Sequence, residues 1–178
     1  SVEPIMEQNM DMLETILTRR SIRKYKKQAI PEELIQKLLH AACSAPSAGN
    51  QQPWHFIVLD DRRILNVIHT FHPSAKMLFE ADRALLVCGD LHLEKFKGYW
   101  MIDCAAATEN ILLAAHNLGL GACWLGLYPR EGRVAGMKKL LQIPSHIIPF
   151  ALGALGYPAE KKSREDRYDA SRVHFNKW

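Results

Sequence analysis

The sequence predicts an α+β fold built as a three-layer core, a sheet with helices on both faces. Three observations lead there. Short apolar runs at 54–59, 84–88, 121–128 and 146–156 read as buried strands. Helical patterns lie between them, but without the regular strand–helix alternation of a doubly wound fold. No Gly-x-Gly-x-x-Gly follows a strand; Gly119-x-Gly121 follows a helix, which disfavours a Rossmann nucleotide fold.

Taken in order, Met10, Leu13, Ile16 and Leu17 recur at helical spacing and predict a helix running into the basic stretch 19–25. Pro31, Glu32 and Glu33 suit the first turn of the next helix, since proline fits its opening position and acids its positive end. Leu34, Ile35, Leu38, Leu39 and Ala42 form its apolar face, and Pro46 ends it near Ser44. A loop of small and amide residues, 45–53, leads into the strand 54–59. Asp60 and Asp61 cap a helix reaching about Thr70, and a short helix follows over 74–80. The run 84–88 is a central strand and 91–96 a loop or lid. Residues 99–118 carry the longest helical pattern, Ala-rich and stopped by Gly119. The strand 121–128, a helix 130–141 and the strand 146–156 complete the core. In the charged tail after Pro158, the alternation of Val173 and Phe175 with His174 and Asn176 predicts an edge-added strand.

The 178 residues fit a single domain over 1–178, with a flexible start over about 1–9 and an extended tail over 158–178. Ser1 in place of Met suggests a processed or engineered end. A net charge of +4 is too small to argue for nucleic acid. Cys43, Cys88, Cys104 and Cys123 form neither a CxxC pair nor a zinc spacing, and read as reduced thiols of a cytoplasmic protein. No apolar run is long enough for a membrane span. Eight histidines without HExxH or i,i+4 pairing predict no metal site. Asp103 and Glu109, six apart on one helix, lie about 240° around it and are not a carboxylate pair.

The residues that bear on chemistry form three groups. Arg19, Arg20, Ser21, Arg23, Lys24 and Tyr25 offer forked cationic donors and hydroxyls that suit a phosphate, or else a solvated basic helix end. Pro46, Ser47, Ala48 and Gly49 are small, while Asn50, Gln51 and Gln52 supply amide donors and acceptors; the plain alternative is a helix stop and turn. Trp124 and Leu125 precede Gly126, which permits close approach to its backbone, although Trp124 is equally a core residue.

In this order, and with a Gly-Tyr-Pro near the end, the three groups resemble the nitroreductase family of FMN-dependent oxidoreductases over the chain from about Thr15 to the tail. The resemblance implies a three-layer α/β/α sandwich with a mixed, mostly antiparallel sheet and a C-terminal tail extending onto a dimer partner. It implies a homodimer with one FMN in each of two interface sites. Arg19, Arg20, Ser21 and Arg23 match the phosphate and ribityl contacts, and Pro46, Ser47, Ala48 and Asn50 the loop that the second subunit lays against the flavin ring. Lys76 matches a flavin-contacting lysine of some members; Trp124, Leu125 and Gly126 match the segment near the reactive nitrogen; Arg164 and Arg167 match tail cations that return to the phosphate.

The expected function is hydride transfer from NADH or NADPH through the flavin to a nitroaromatic, quinone or similar conjugated small-molecule acceptor. The flavin carries the chemistry, so no catalytic side chain is expected. The alternative is a flavin-binding sensor or carrier without turnover. Neither nucleic acid nor a membrane is an expected partner.

Overall fold

The computed structural model describes residues 11–178, so the expectations for Met10 and the first nine residues lie outside the described part. Among the described residues, five α-helices and four strands follow one another as α1 Met12–Thr18, α2 Glu32–Cys43, β1 Trp54–Leu59, α3 Arg62–Val67, β2 Arg83–Asp90, α4 Trp100–Asn117, β3 Gly121–Gly126, α5 Glu131–Leu141 and β4 Ile147–Gly156. Short 3-10 turns cover Ile68–Thr70 and Lys76–Phe79. Local signals place several ends: the Asp61 carboxylate accepts from the Arg63 amide at the start of α3, and Gly119 turns the chain after α4 with a φ of 78°.

The strands form one sheet in the order β1-β2-β4-β3, with all three pairs antiparallel. A parallel bridge, Ser21 to Ala122, adds the segment after α1 to the β3 edge. Alternation along the strands splits the core into two. Leu86, Cys88, Cys123, Leu125, Leu152 and Ala154 face one side, with Leu65 of α3 and Met137 of α5. Leu85, Val87, Ala122 and Leu155 face the other, with Ile35 and Leu38 of α2 and Cys104, Ala107 and Ile111 of α4. This is the three-layer α/β/α arrangement expected from the sequence.

Within one chain, one expectation needs correction. The tail forms no strand: after a bridge between Tyr25 and Pro158, its regular structure is one 3-10 turn, Ala170–Arg172. Within one chain, Val173 and Phe175 meet no strand edge, so their alternation has no ladder to join. α1 forms where the spacing predicts a helix, over Met12–Thr18. Its apolar residues Leu13, Ile16 and Leu17 point outward, and its buried residue is Thr15. Among the described residues no helix is long and apolar enough to cross a membrane.

Candidate functional site

The basic segment is seated by a pair of glycines. Gly121 of β3 and Gly156 of β4 are cross-strand partners. A Cβ on Gly121 would stand 2.8 Å from Ile22 Cγ2, and one on Gly156 would stand 2.7 Å from Tyr25 Cδ1. Absence of both side chains lets residues 21–25 lie directly on the sheet. The Ile22 amide donates to the Ala122 carbonyl at 2.9 Å. Tyr25 is buried, and burial raises its hydroxyl well above the usual phenol range.

With Ile22 and Tyr25 turned inward, the cations turn outward and meet the tail. Arg19, Arg20, Arg164 and Arg167 line one cavity of about 210 Å³ together with Glu165 and Asp166. Arg20 pairs with Glu165 at 2.8 Å, and Arg167 pairs with the same carboxylate at 2.9 Å. These contacts hold the Glu165 carboxyl below its usual range, the hydrogen bond from Arg167 contributing most. Glu160 accepts from the Arg23 amide at 2.7 Å, and the Lys162 ammonium donates to the Ser21 carbonyl at 2.7 Å. The Arg23 and Arg164 side chains form no ion pair among the described residues. Lys162 was not singled out in the sequence. Its adjacent Lys161 and the general charge of the tail conceal it, and only the fold shows which lysine reaches Ser21.

Along β3 from this cluster, Leu125 faces the core, whereas Trp124 is half-buried and packs edge-on against Phe150 with ring centroids 5.9 Å apart. Gly126 borders open space: a Cβ there would meet no atom within 4 Å. Its carbonyl accepts from His72 Nε2 at 3.0 Å and from Arg133 at 2.9 Å. The same antiparallel register turns the peptide groups of Ala122, Trp124 and Gly126 away from β4, toward the free edge of the sheet. Lys76 is exposed at the start of its 3-10 turn, four residues after His72.

The small-residue loop sits elsewhere. It precedes β1, the strand at the opposite edge, three strand spacings or roughly 14 Å from β3. It carries left-handed backbone at Gly49 (φ 52°), Asn50 (53°) and Gln52 (47°). The Phe96 ring lies against Gly49, where a Cβ would stand 2.0 Å from Phe96 Cε2. The buried Asp103 carboxylate accepts from the Ala48 amide at 2.9 Å and from Gln51 Nε2 at 2.7 Å, and Gln51 Oε1 accepts the Lys95 and Phe96 amides. Thus α4 ties the loop and the 91–99 segment together. Six residues further on, Glu109 pairs with Arg19 at 3.6 Å, and burial raises its carboxyl against the pull of that arginine. The two acids do not face each other, but each holds one of the predicted binding segments. Considered only as a pair, they gave no such signal.

Within one chain, therefore, Arg19, Arg20, Ser21, Arg23, Arg164 and Arg167 come together beside the β3 edge that carries Trp124, Leu125 and Gly126, while Pro46, Ser47, Ala48 and Asn50 stand at the far edge.

Comparison with known proteins matches the same architecture. The family model described as the Nitroreductase family matches residues 16–86 and 73–157. A Methanothermobacter thermautotrophicus protein named "Putative NADH dehydrogenase/NAD(P)H nitroreductase" is 53% identical over 169 residues, covering 95% of this chain and 88% of its own. A crystal structure under the same name from Parabacteroides distasonis superposes with a TM-score of 0.91 at 40% identity, over 95% of this chain and 99% of that one. An FMN-dependent nitroreductase from Clostridium difficile R20291 superposes with a TM-score of 0.86 at 30% identity, over 93% and 99% of the two chains.

Proposed function

This chain belongs to the nitroreductase family, and from that premise we propose that it is an FMN-dependent enzyme that takes hydride from NADH or NADPH and passes it to a small conjugated acceptor such as a nitroaromatic or a quinone. The supporting observation is the layout of the β3 edge. A cation-rich segment is bridged to Ala122, and an open, side-chain-free face lies at Gly126, four residues or roughly 13 Å along the strand. That layout suits a molecule with an anionic end and a flat end, so the residues present fit FMN.

When bound, FMN supplies the acceptance and release of hydride. The chain's own part is binding and orientation. Arg19, Arg20, Ser21 and Arg23 offer the phosphate its donors, with Arg164, Arg167 and Lys162 brought up by the tail. Among the outward peptide groups of β3, the Trp124 N–H provides a fixed donor, and Arg133 and His72 keep the Gly126 end of that edge in place. Gly126 leaves the face open, and Lys76 adds a further cation on the His72 side.

The loop with Pro46, Ser47, Ala48 and Asn50 joins this site only from a second copy, so the working unit is a homodimer with two sites at its interface. Two further features support that assembly. Met12, Leu13 and Ile16 are each at least half exposed on α1, and Tyr168, Phe175 and Trp178 are exposed along the tail. The free cysteines, three of them buried, suit a reducing, cytoplasmic compartment.

The test is an absorption spectrum of the purified protein with anaerobic addition of NADH or NADPH. Flavin bands that bleach and return with an acceptor are expected. Bands that persist under nicotinamide would instead establish a flavin-binding carrier or sensor, and absence of bands after FMN addition would overturn the reading altogether.

A further inference from the structure

At the end of the sheet, away from the arginine segment, three histidines and one carboxylate gather. Asp90 closes β2, His146 immediately precedes β4, and the Leu91 amide donates to the His146 carbonyl at 3.0 Å, carrying the β2–β4 ladder one step beyond the Asp90–Ile147 pair. His92 follows two residues after Asp90. One ligand atom from each of Asp90, His92 and His146 lies within 4.8 Å of the others. The two imidazoles stack with centroids 4.0 Å apart and planes 5° from parallel.

The carboxylate is buried and oriented. Asp90 Oδ2 is 2.9 Å from His55 Nε2 on the neighbouring strand, and Oδ1 accepts the His92 amide at 2.9 Å. Access is open, since His55, Asp90 and His146 border a cavity of about 540 Å³.

We propose that Asp90, His92 and His146 bind a divalent transition-metal ion of the zinc type, with His55 as the positioning residue of the carboxylate. Two imidazoles and a carboxylate are the donor set of zinc and its neighbours, whereas magnesium and calcium require oxygen throughout. Three protein ligands leave the fourth position to water or a small ligand. A carboxylate fixed by a second histidine is the kind of outer contact that sharpens such sites. Within one chain the site is separate from the β3 edge: on β4, Ile147 opposite Asp90 lies four residues from Ala151 opposite Gly126, roughly 13 Å along the strand.

The experiment is calorimetric titration of the untagged full chain, stripped with a chelator, with zinc chloride. One saturable site per chain is expected. His92→Ala and His146→Ala weaken it at least tenfold, and His55→Ala weakens it about 10- to 100-fold. His40→Ala, at an exposed histidine of α2, leaves it unchanged. His92 is exposed and His146 half-buried, so neither truncation opens the core, and thermal melting of the metal-free variants verifies folding. No saturable zinc binding by the parent protein, or binding that persists at full strength in both ligand variants, overturns the proposal.

Discussion

The Nε2–H of His72 donates to the Gly126 carbonyl at 3.0 Å, so a buried imidazole from the segment between α3 and β2 holds the end of β3 beside the open space over Gly126. The other ring nitrogen, Nδ1, is buried with no hydrogen-bond partner among the described residues. Burial first, and then the Arg133 charge, lower the His72 pKa, so the fold favours the neutral ring. His116 is lowered in the same way, by burial and by Arg19.

A pH dependence follows. A histidine lowered by folding binds fewer protons in the native than in the unfolded chain. Its stabilisation is complete above the unfolded value of about 6.5 and is lost as pH falls from there toward the lowered native value. His72→Phe removes part of this acid-side slope. Denaturant unfolding of parent and variant at about pH 7.5 and about pH 5.5 measures it; an identical pH difference in both proteins would show that His72 contributes nothing.

Gly126→Val separates folding from cofactor binding. A Cβ at Gly126 has no neighbour within 4 Å, and valine suits a strand, so thermal stability stays within about 0.5 kcal/mol of the parent. Flavin content, read from the absorption spectrum, falls sharply. A variant that keeps its flavin would mean that the ring does not pass over this face.

The tail acid Glu165 occupies two of the cations assigned to the phosphate. Arg19→Ala and Arg23→Ala each weaken FMN binding about tenfold or more, because each removes a charge-assisted donor. Glu165→Gln strengthens it severalfold by freeing Arg20 and Arg167. Fluorescence titration with FMN at two salt concentrations distinguishes the cases, since the effects shrink as salt rises.

Asp103→Asn places an amide donor against either the Ala48 amide or the Gln51 side-chain amide, both of which now donate to the carboxylate. The unsatisfied buried group costs about 1–3 kcal/mol. Hydrogen exchange at the Ala48 amide accelerates beyond the global change, as the loop loses its anchor to α4; uniform acceleration throughout the chain would instead assign Asp103 to general stability.

Removing residues 169–178 deletes Phe175 and Trp178 while leaving Arg164 and Arg167 in place. Sedimentation is expected to show a weakened dimer, together with reduced flavin content. Unchanged sedimentation would mean that the tail does not cross to the second copy.

Periodicity and turn chemistry made most of the architecture legible. The spacing of Leu34, Ile35, Leu38, Leu39 and Ala42 located α2, and apolar runs located all four strands, because burial on one stripe or both faces leaves a local pattern. Relations across the chain were not legible. Asp103 and Glu109 are meaningful only beside the loop and Arg19, which approach α4 through tertiary packing. Asp90 and His92 are separated from His146 by more than fifty residues and meet through the β2–β4 register, so a scan for short ligand spacings passes over them. The tail misled for the converse reason: Val173 and Phe175 have a strand's alternation, but a strand exists only against a partner edge.

The placement of the arginine segment and the 46–50 loop at opposite edges of the sheet has a genetic consequence. If each site takes one edge from each of two copies, a chain damaged at Arg19 and Arg23 and a chain damaged in the loop are both inactive alone. Mixed in one dimer, they create one site with both lesions and one site with neither. Two null alleles of this single chain therefore complement each other, restoring activity to half the sites of every mixed dimer.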